Sequence, residues 1–242
     1  MLSLRQAFTI SDLHTVLKIS RDFSAKEEKS QSCCNAHYNN IRKNMKIDSS
    51  FVGTPLKDYT TTVTWRATMN YAAAVNDANP VYFDDEEKTV IAPPMFAVAL
   101  TWPISERIWE YIDDKNFPVD IIKTQVHYTE HLAFHRPMYA GDVLTIKGHI
   151  AAIMAHRAGT VVVIRFDAID QDGNGVFTEH IGGLMRGVEC TGNSRGKEDL
   201  PLVPPFSGVP GAQWEKVIHI NRMQPFIYDG CTNIHFPIHT SV

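Results

Sequence analysis

The chain has 242 residues, room for one large domain or for one compact domain and part of another. Hydrophobic residues make up 44% and charged residues 21%, which argues against wholesale disorder. The formal net charge of -4, with no long basic run, disfavours nucleic-acid binding, and no run of about 18 apolar residues is present to span a membrane.

The four cysteines (Cys33, Cys34, Cys190 and Cys231) give neither a disulfide framework nor a CxxC knuckle, so a reducing compartment fits best. Residues 1–50 read as a poorly ordered extension. Leu2, Leu4, Phe8, Ile10, Leu13 and Val16 make a short amphipathic pattern, but Arg5, Asp12, His14 and Lys18 interrupt it, unlike the compact apolar core of a secretory signal. Asp12 and Asp22 weigh against a mitochondrial presequence. The expected location is the cytoplasm, with the mitochondrion as the alternative.

From Phe51 the pattern becomes regular. Tyr59 to Trp65, rich in Thr and Val, predicts a strand, and Trp65 to Asn76 predicts a helix. Asp77-Ala78-Asn79-Pro80 ends that helix, because the residue before proline avoids the helical region. Pro93-Pro94 opens the next element. There Phe96, Leu100, Ile104, Ile108 and Ile112 recur every four residues and predict a helix buried along one face, with Pro103 marking a kink or the true first turn. Four apolar segments then predict strands: Val119–Tyr128, Asp142–His156, Thr160–Asp170 and Gly175–Val188. A long helix followed by an antiparallel sheet is an α+β layout in which the sheet must cover the helix. The stretch over 191–212, rich in Pro and Gly, reads as a linker. Beyond it, Trp214–Ile220 reads as a strand, and Asn221 is placed to cap a short helix over Met223–Tyr228. Roughly 30 residues, over 213–242, do not make a domain by themselves.

Three constellations are weighed against plainer readings. Asp170 to Gly175 imitates a calcium loop, but its twelfth position is Ile181 rather than Glu, so it reads as a hairpin turn. His127, His131 and His135 are spaced four apart beside Glu130. They follow a strand pattern and read as scattered side chains rather than a metal site, so no metal is expected. Cys231 has His235 and His239 nearby, and a thiol–imidazole pair there lacks an orienting acid in the sequence reading.

The informative signal is internal. Tyr71 to Tyr82 and Phe226 to His239 each run from a short helix through a polar turn into Pro–aliphatic–ring, about 155 residues apart, which suggests a duplicated domain. The chain resembles the MaoC-like dehydratase / (R)-specific enoyl-CoA hydratase family. The resemblance lies in Phe51-Val-Gly-Thr-Pro-Leu56, the Asp77-Ala-Asn79-Pro80 turn, Val90-Ile-Ala-Pro93-Pro94-Met-Phe96 and His135-Arg136-Pro137-Met-Tyr-Ala-Gly141-Asp142. It implies a hot-dog fold over 51–190, an antiparallel sheet wrapped around the Phe96–Ile108 helix, and the start of a second, incomplete hot-dog repeat over 213–242. It further implies acyl-CoA or acyl-carrier-protein thioesters as partners and a homodimer, with no cofactor. The family's catalytic motif is Asp-x-Asn-Pro-Ile-His. In the first half Tyr82 stands where His is expected, and a phenol is a poor base at neutral pH. That half is read as the substrate-binding side, with Asp77, Asn79, Tyr82, Pro94 and Phe96. In the second half Pro237-Ile238-His239 matches, but Ile234 and Phe236 replace Asp and Asn. His239 is the catalytic candidate, and Asn233 is the residue to orient water. The implied reaction is reversible hydration of an enoyl thioester, with the chain inactive if truncated. The alternatives are a non-catalytic acyl-thioester or dimerisation module and a thioesterase.

Overall fold

Five strands form one antiparallel sheet in the order β2-β4-β5-β6-β3. They are β2 (Tyr59–Thr62), β3 (Gln125–Phe134), β4 (Val143–His156), β5 (Gly159–Ile169) and β6 (Gly175–Arg186). A separate parallel pair joins β1 (Lys46–Asp48) to β7 (Glu189–Thr191). The computed structural model describes residues 45–86, 90–202, 217–236 and 240. Most of the N-terminal extension therefore lies outside the described residues, and the folded body reaches back to Lys46 through β1.

Helix α1 (Trp65–Ala74) starts where Thr64 Oγ1 accepts the Ala67 N–H at 3.2 Å, satisfying one of the free donors of the first turn. It stops at Asn76, which takes the left-handed conformation (φ 56°) that Asn tolerates better than most residues. The central helix α2 (Phe96–Glu106) buries Phe96, Ala97, Val98, Leu100, Thr101, Trp102, Ile104 and Ser105. Pro103 lies inside it and supplies no N–H to the turn before. The apolar stripe continues past Arg107 into a separate short helix, α3 (Ile108–Tyr111), rather than one unbroken rod.

The sheet alternates as period two demands. On β5, Val162 and Ile164 face the seam under α2, where Ser105 and Ile108 meet Ile181, Gly183 and Met185 of β6. Ile104 is fully buried, a contribution of about 1.5–3 kcal/mol for a side chain of this size. On the opposite face Val161, Val163 and Leu184 form a second apolar cluster with Ala151 and Ala152, and Leu200 packs on it. The connector is thus partly ordered: Arg195 bridges to Ile153, and the chain lies on the sheet's outer face as far as Leu200.

Two sequence expectations change. Val119–Thr124 is a 3-10 turn, with Thr124 Oγ1 bonded to the Ile121 carbonyl at 2.7 Å, and the strand begins only at Gln125. Val217–Ile220 forms no strand and is exposed, its backbone having no strand partner among the described residues; Trp214 to Lys216 lie outside the described residues. The Asp170 loop is the expected hairpin turn: Asp170 Oδ1 accepts the N–H of Asp172 at 3.1 Å and of Asn174 at 2.9 Å. Its other oxygen meets Arg136, which also forks onto Asp142 at 2.7 and 3.3 Å. The Arg136-to-Asp142 motif therefore ties the β3–β4 turn to the β5–β6 hairpin.

Phe166 is fully buried on the inner face of β5, and a Cβ on Gly148 of β4 would stand 2.8 Å from its ring. Replacing Phe166 with Ala leaves a cavity facing a glycine, which has no side chain to collapse into it. We expect a loss of about 3–5 kcal/mol in denaturant unfolding, with the transition still cooperative.

Candidate active site

The first turn is built by its own polar side chains. Asp77 Oδ1 accepts the Asn79 N–H at 3.1 Å, and Asn79 Oδ1 accepts the Val81 N–H at 3.3 Å, shaping the 3-10 turn Pro80–Tyr82. Asp77 and Asn79 are exposed, and Tyr82 is half-buried. The Pro94 carbonyl accepts the Ala97 N–H at 3.2 Å and so starts the central helix. Phe96 is buried and meets Tyr71 edge-on at 5.7 Å between ring centroids. Phe96 thus joins the central helix to α1, whereas the side chains of Asp77 and Asn79 are engaged by the backbone around them.

The second segment docks on this frame. Asn221 Oδ1 accepts the Met223 N–H at 2.8 Å and introduces helix α4 (Gln224–Thr232). The Gln224 amide donates to the Ala74 carbonyl at 2.5 Å, and Tyr228 meets Tyr71 with ring centroids 6.4 Å apart. Contacts from the start of α4 to the end of α1 make the two helices antiparallel. Helix α4 ends at Asn233 with φ 59°, the counterpart of Asn76. These are the two positive-φ residues other than glycine among the described residues. Asn76 and Asn233 are 157 residues apart, and so are Tyr71 and Tyr228. Past the cap, Ile234 is buried, the His235 carbonyl accepts from Trp102 Nε1 at 3.2 Å, and Phe236 meets the Trp102 ring edge-on at 5.7 Å. His239, the catalytic candidate, lies outside the described residues, as do Pro237 and Ile238.

His235 has the acid that the sequence reading did not find: its Nδ1 is 3.2 Å from Asp229 Oδ2. The left-handed residue at Asn233 turns the chain back, bringing a residue six positions earlier within reach.

Next to these helices the sheet's inner face holds two carboxyl groups. Glu130 of β3 pairs in register with Ile181, and Glu179 of β6 with Leu132, so the two are diagonal neighbours on one face. Glu179 is fully buried, and neither of its oxygens has a hydrogen-bond partner in the structure. Burial holds its proton on well above the usual carboxylate range; the neighbouring Glu130 charge adds to this, and the Thr101 hydroxyl opposes it. His127 Nε2 lies 3.1 Å from Glu130, and that contact raises the His127 pKa. Burial also raises the Tyr71 and Tyr228 phenols, so both stay protonated. At this junction of α1, α2, α4 and the sheet, burial therefore keeps the Glu179 carboxyl and the Tyr71 and Tyr228 phenols protonated. Sequence reasoning missed Glu179 because a lone Glu in an apolar strand reads as an outward residue.

The family model for the FAS1-like, dehydratase domain region matches residues 50–179, more than half of the chain. The chain belongs to that family. A UPF0336 protein of Streptomyces avermitilis is 33% identical over 144 residues, covering 55% of this chain and 91% of the relative. A second, from Streptomyces coelicolor, is 31% identical over the same share of each chain. Among solved structures, a MaoC-like dehydratase from Phytophthora capsici superposes with a TM-score of 0.61 at 18% identity, covering 79% of this chain and 66% of that one. A further MaoC-like dehydratase gives 0.57 at 20% identity, covering 78% and 68%. At these identities the structures establish the hot-dog fold, which the strand order and the central helix display here.

Because the folded state raises the Glu179 pKa, its contribution to stability is complete below about pH 4.5 and is lost as pH rises through the folded value. Glu179→Gln carries no titration there. As pH rises above about 4.5 the wild-type melting temperature should fall relative to that of the variant; parallel curves would contradict the burial argument.

Proposed function

We propose that this family member is a hydro-lyase acting on acyl thioesters, reversibly adding water to a 2-enoyl-CoA or removing it from a 3-hydroxyacyl thioester. The supporting observation is the seat of the second segment. Trp102 of the central helix holds the His235 carbonyl and the Phe236 ring, so the sequence leading to His239 starts out from that helix. In this reading His239 is the base. It takes a proton from water as the oxygen attacks C3, the electron pair moves to the thioester oxygen, and C2 then takes a proton. Asn233 orients the water, and backbone N–H groups receive the developing oxyanion. Asp77 and Asn79 shape the turn on the acyl side, where Tyr82, Pro94 and Phe96 line it. No cofactor takes part.

Residues 213–242 are, in the same reading, the start of a second repeat, since α1 and α4 end on equivalent asparagines. Strand β3 is an edge of the sheet and exposes Tyr128 and Phe134, which suits pairing with a second copy. A non-catalytic acyl-thioester module is the second reading. It is favoured by Ile234, an apolar buried residue where the family carries its acid.

Loss of ultraviolet absorbance of crotonyl-CoA measures hydration directly. We expect turnover by the 242-residue chain, reduced by about 10²- to 10⁴-fold in His239→Ala, a usual range for a general base. Turnover unaffected by that change would remove His239 from the mechanism. Saturable binding of crotonyl-CoA without turnover would favour the module. Light scattering should give a dimer; a monomer at all concentrations would refute the edge pairing.

A further inference from the structure

The outer face of the sheet carries four basic side chains in a single register row. His149 of β4 is opposite Arg165 of β5, Arg165 is opposite His180 of β6, and His180 is opposite His131 of β3. The His131 and His180 rings touch edge-on at 6.1 Å. At its centre stands the Arg165 charge, which disfavours protonation of His149 and His180 directly across the strands. Asp167 offsets part of it, receiving Arg165 Nε at 3.0 Å and Nη2 at 2.9 Å, with Thr178 donating to the same carboxylate at 2.9 Å. His135 reaches Thr178 at 3.3 Å, and the exposed Lys147 stands opposite Asp167. On the other side the row is bounded by the Val161, Val163 and Leu184 cluster.

A second, independent feature is the state of the two touching imidazoles. Nδ1 of His131 and Nδ1 of His180 are both buried without a hydrogen-bond partner. A buried N–H with no acceptor is costly, whereas a bare ring nitrogen costs less. Each ring therefore favours the tautomer with its hydrogen on Nε2. His180 and His149 are further held neutral by burial first and by the Arg165 charge second. The outcome is a set of donors: the Nε2–H groups of His131 and His180 beside a guanidinium whose Nη1 has no partner among the described residues. Donors on adjacent strands stand about 4.8 Å apart. Terminal oxygens on the two phosphorus atoms of a diphosphate can bridge that spacing, while a lone carboxylate is too short to engage three strands.

We propose that the row His149–Arg165–His180–His131 is a binding site for a phosphate-class oxyanion, best matched by a diphosphate. The site is on the face of the sheet opposite the central helix and is independent of the hydro-lyase reading. Its ligand would use donors that the protein leaves idle.

Isothermal titration at neutral pH with inorganic pyrophosphate tests this, with orthophosphate and ADP as further arms and sodium chloride matched for ionic strength. Saturable binding of pyrophosphate is expected, weakened roughly tenfold or more in His131→Gln/His180→Gln and in Arg165→Gln. Lys147→Gln, outside the row, should change it much less. Binding of ADP alongside pyrophosphate would mark a diphosphate-bearing molecule as the source; binding of the inorganic anions alone would mark free phosphate. Circular dichroism melts confirm that each variant is folded, and His149→Gln provides a second reading at the far end of the row. No saturable binding to the wild type, or binding unchanged in the row variants, overturns the assignment.

Discussion

The structure depends on one seam, in which the apolar face of the central helix is desolvated against the inner face of β5 and β6. Ser105 and Ile108 meet Val162, Ile164, Ile181 and Met185 there, around a cavity of about 20 Å³, room for a single water. A seam that tight sets the terms for every polar group it encloses. Glu179, on the same face of β6 two positions before Ile181, has no hydrogen-bond partner among the described residues, and a carboxyl so buried retains its proton. The tyrosines where α1 and α4 cross are held protonated for the same reason. Electrostatics at this junction follow first from packing, with the Glu130 charge adding to it.

The second constraint is symmetry between two short pieces of chain. Tyr71 and Tyr228 each stand five residues before the left-handed asparagine beyond their helix and meet each other, which places a local twofold relation between α1 and α4. Both helices end on an asparagine in the left-handed region, so both turns leave their helix in the same way. The side chains that follow then differ. Asp77 and Asn79 make backbone turns, whereas Ile234 is buried and His235 is drawn to Asp229. The two segments thus share a backbone frame but differ in chemistry.

The elements with strong periodicity were legible in the sequence. The i, i+4 stripe from Phe96 located the central helix, and Val161 to Ile164 located a strand. The helix end at Asn76 and the Asp170 turn followed from local residue chemistry alone. Val119–Thr124 was misread because an apolar run does not reveal whether its backbone finds a sheet partner, and Pro118 starts a tight turn instead. The polar junction was not legible, since Glu130 and Glu179 are 49 positions apart and meet only through strand register. Asp229 was missed for a similar reason: its approach to His235 requires the left-handed turn between them.

Register also explains why the two faces of β3 and β6 differ so sharply. A bulge between His127 and Thr129 shifts the alternation of β3, so His127 and Glu130, three apart, reach the same side. Beyond the bulge strict alternation resumes: Glu130 and Leu132 turn inward, while His131 and Ala133 turn outward. Strand β6 does the same, with Glu179 inward and His180 outward. One peptide step thus separates a carboxyl that burial keeps neutral by retaining a proton from an imidazole that burial keeps neutral by refusing one. Neither group needs a counter-ion to remain uncharged, so one strand carries a buried acid and a buried base on adjacent residues without an ion pair between them.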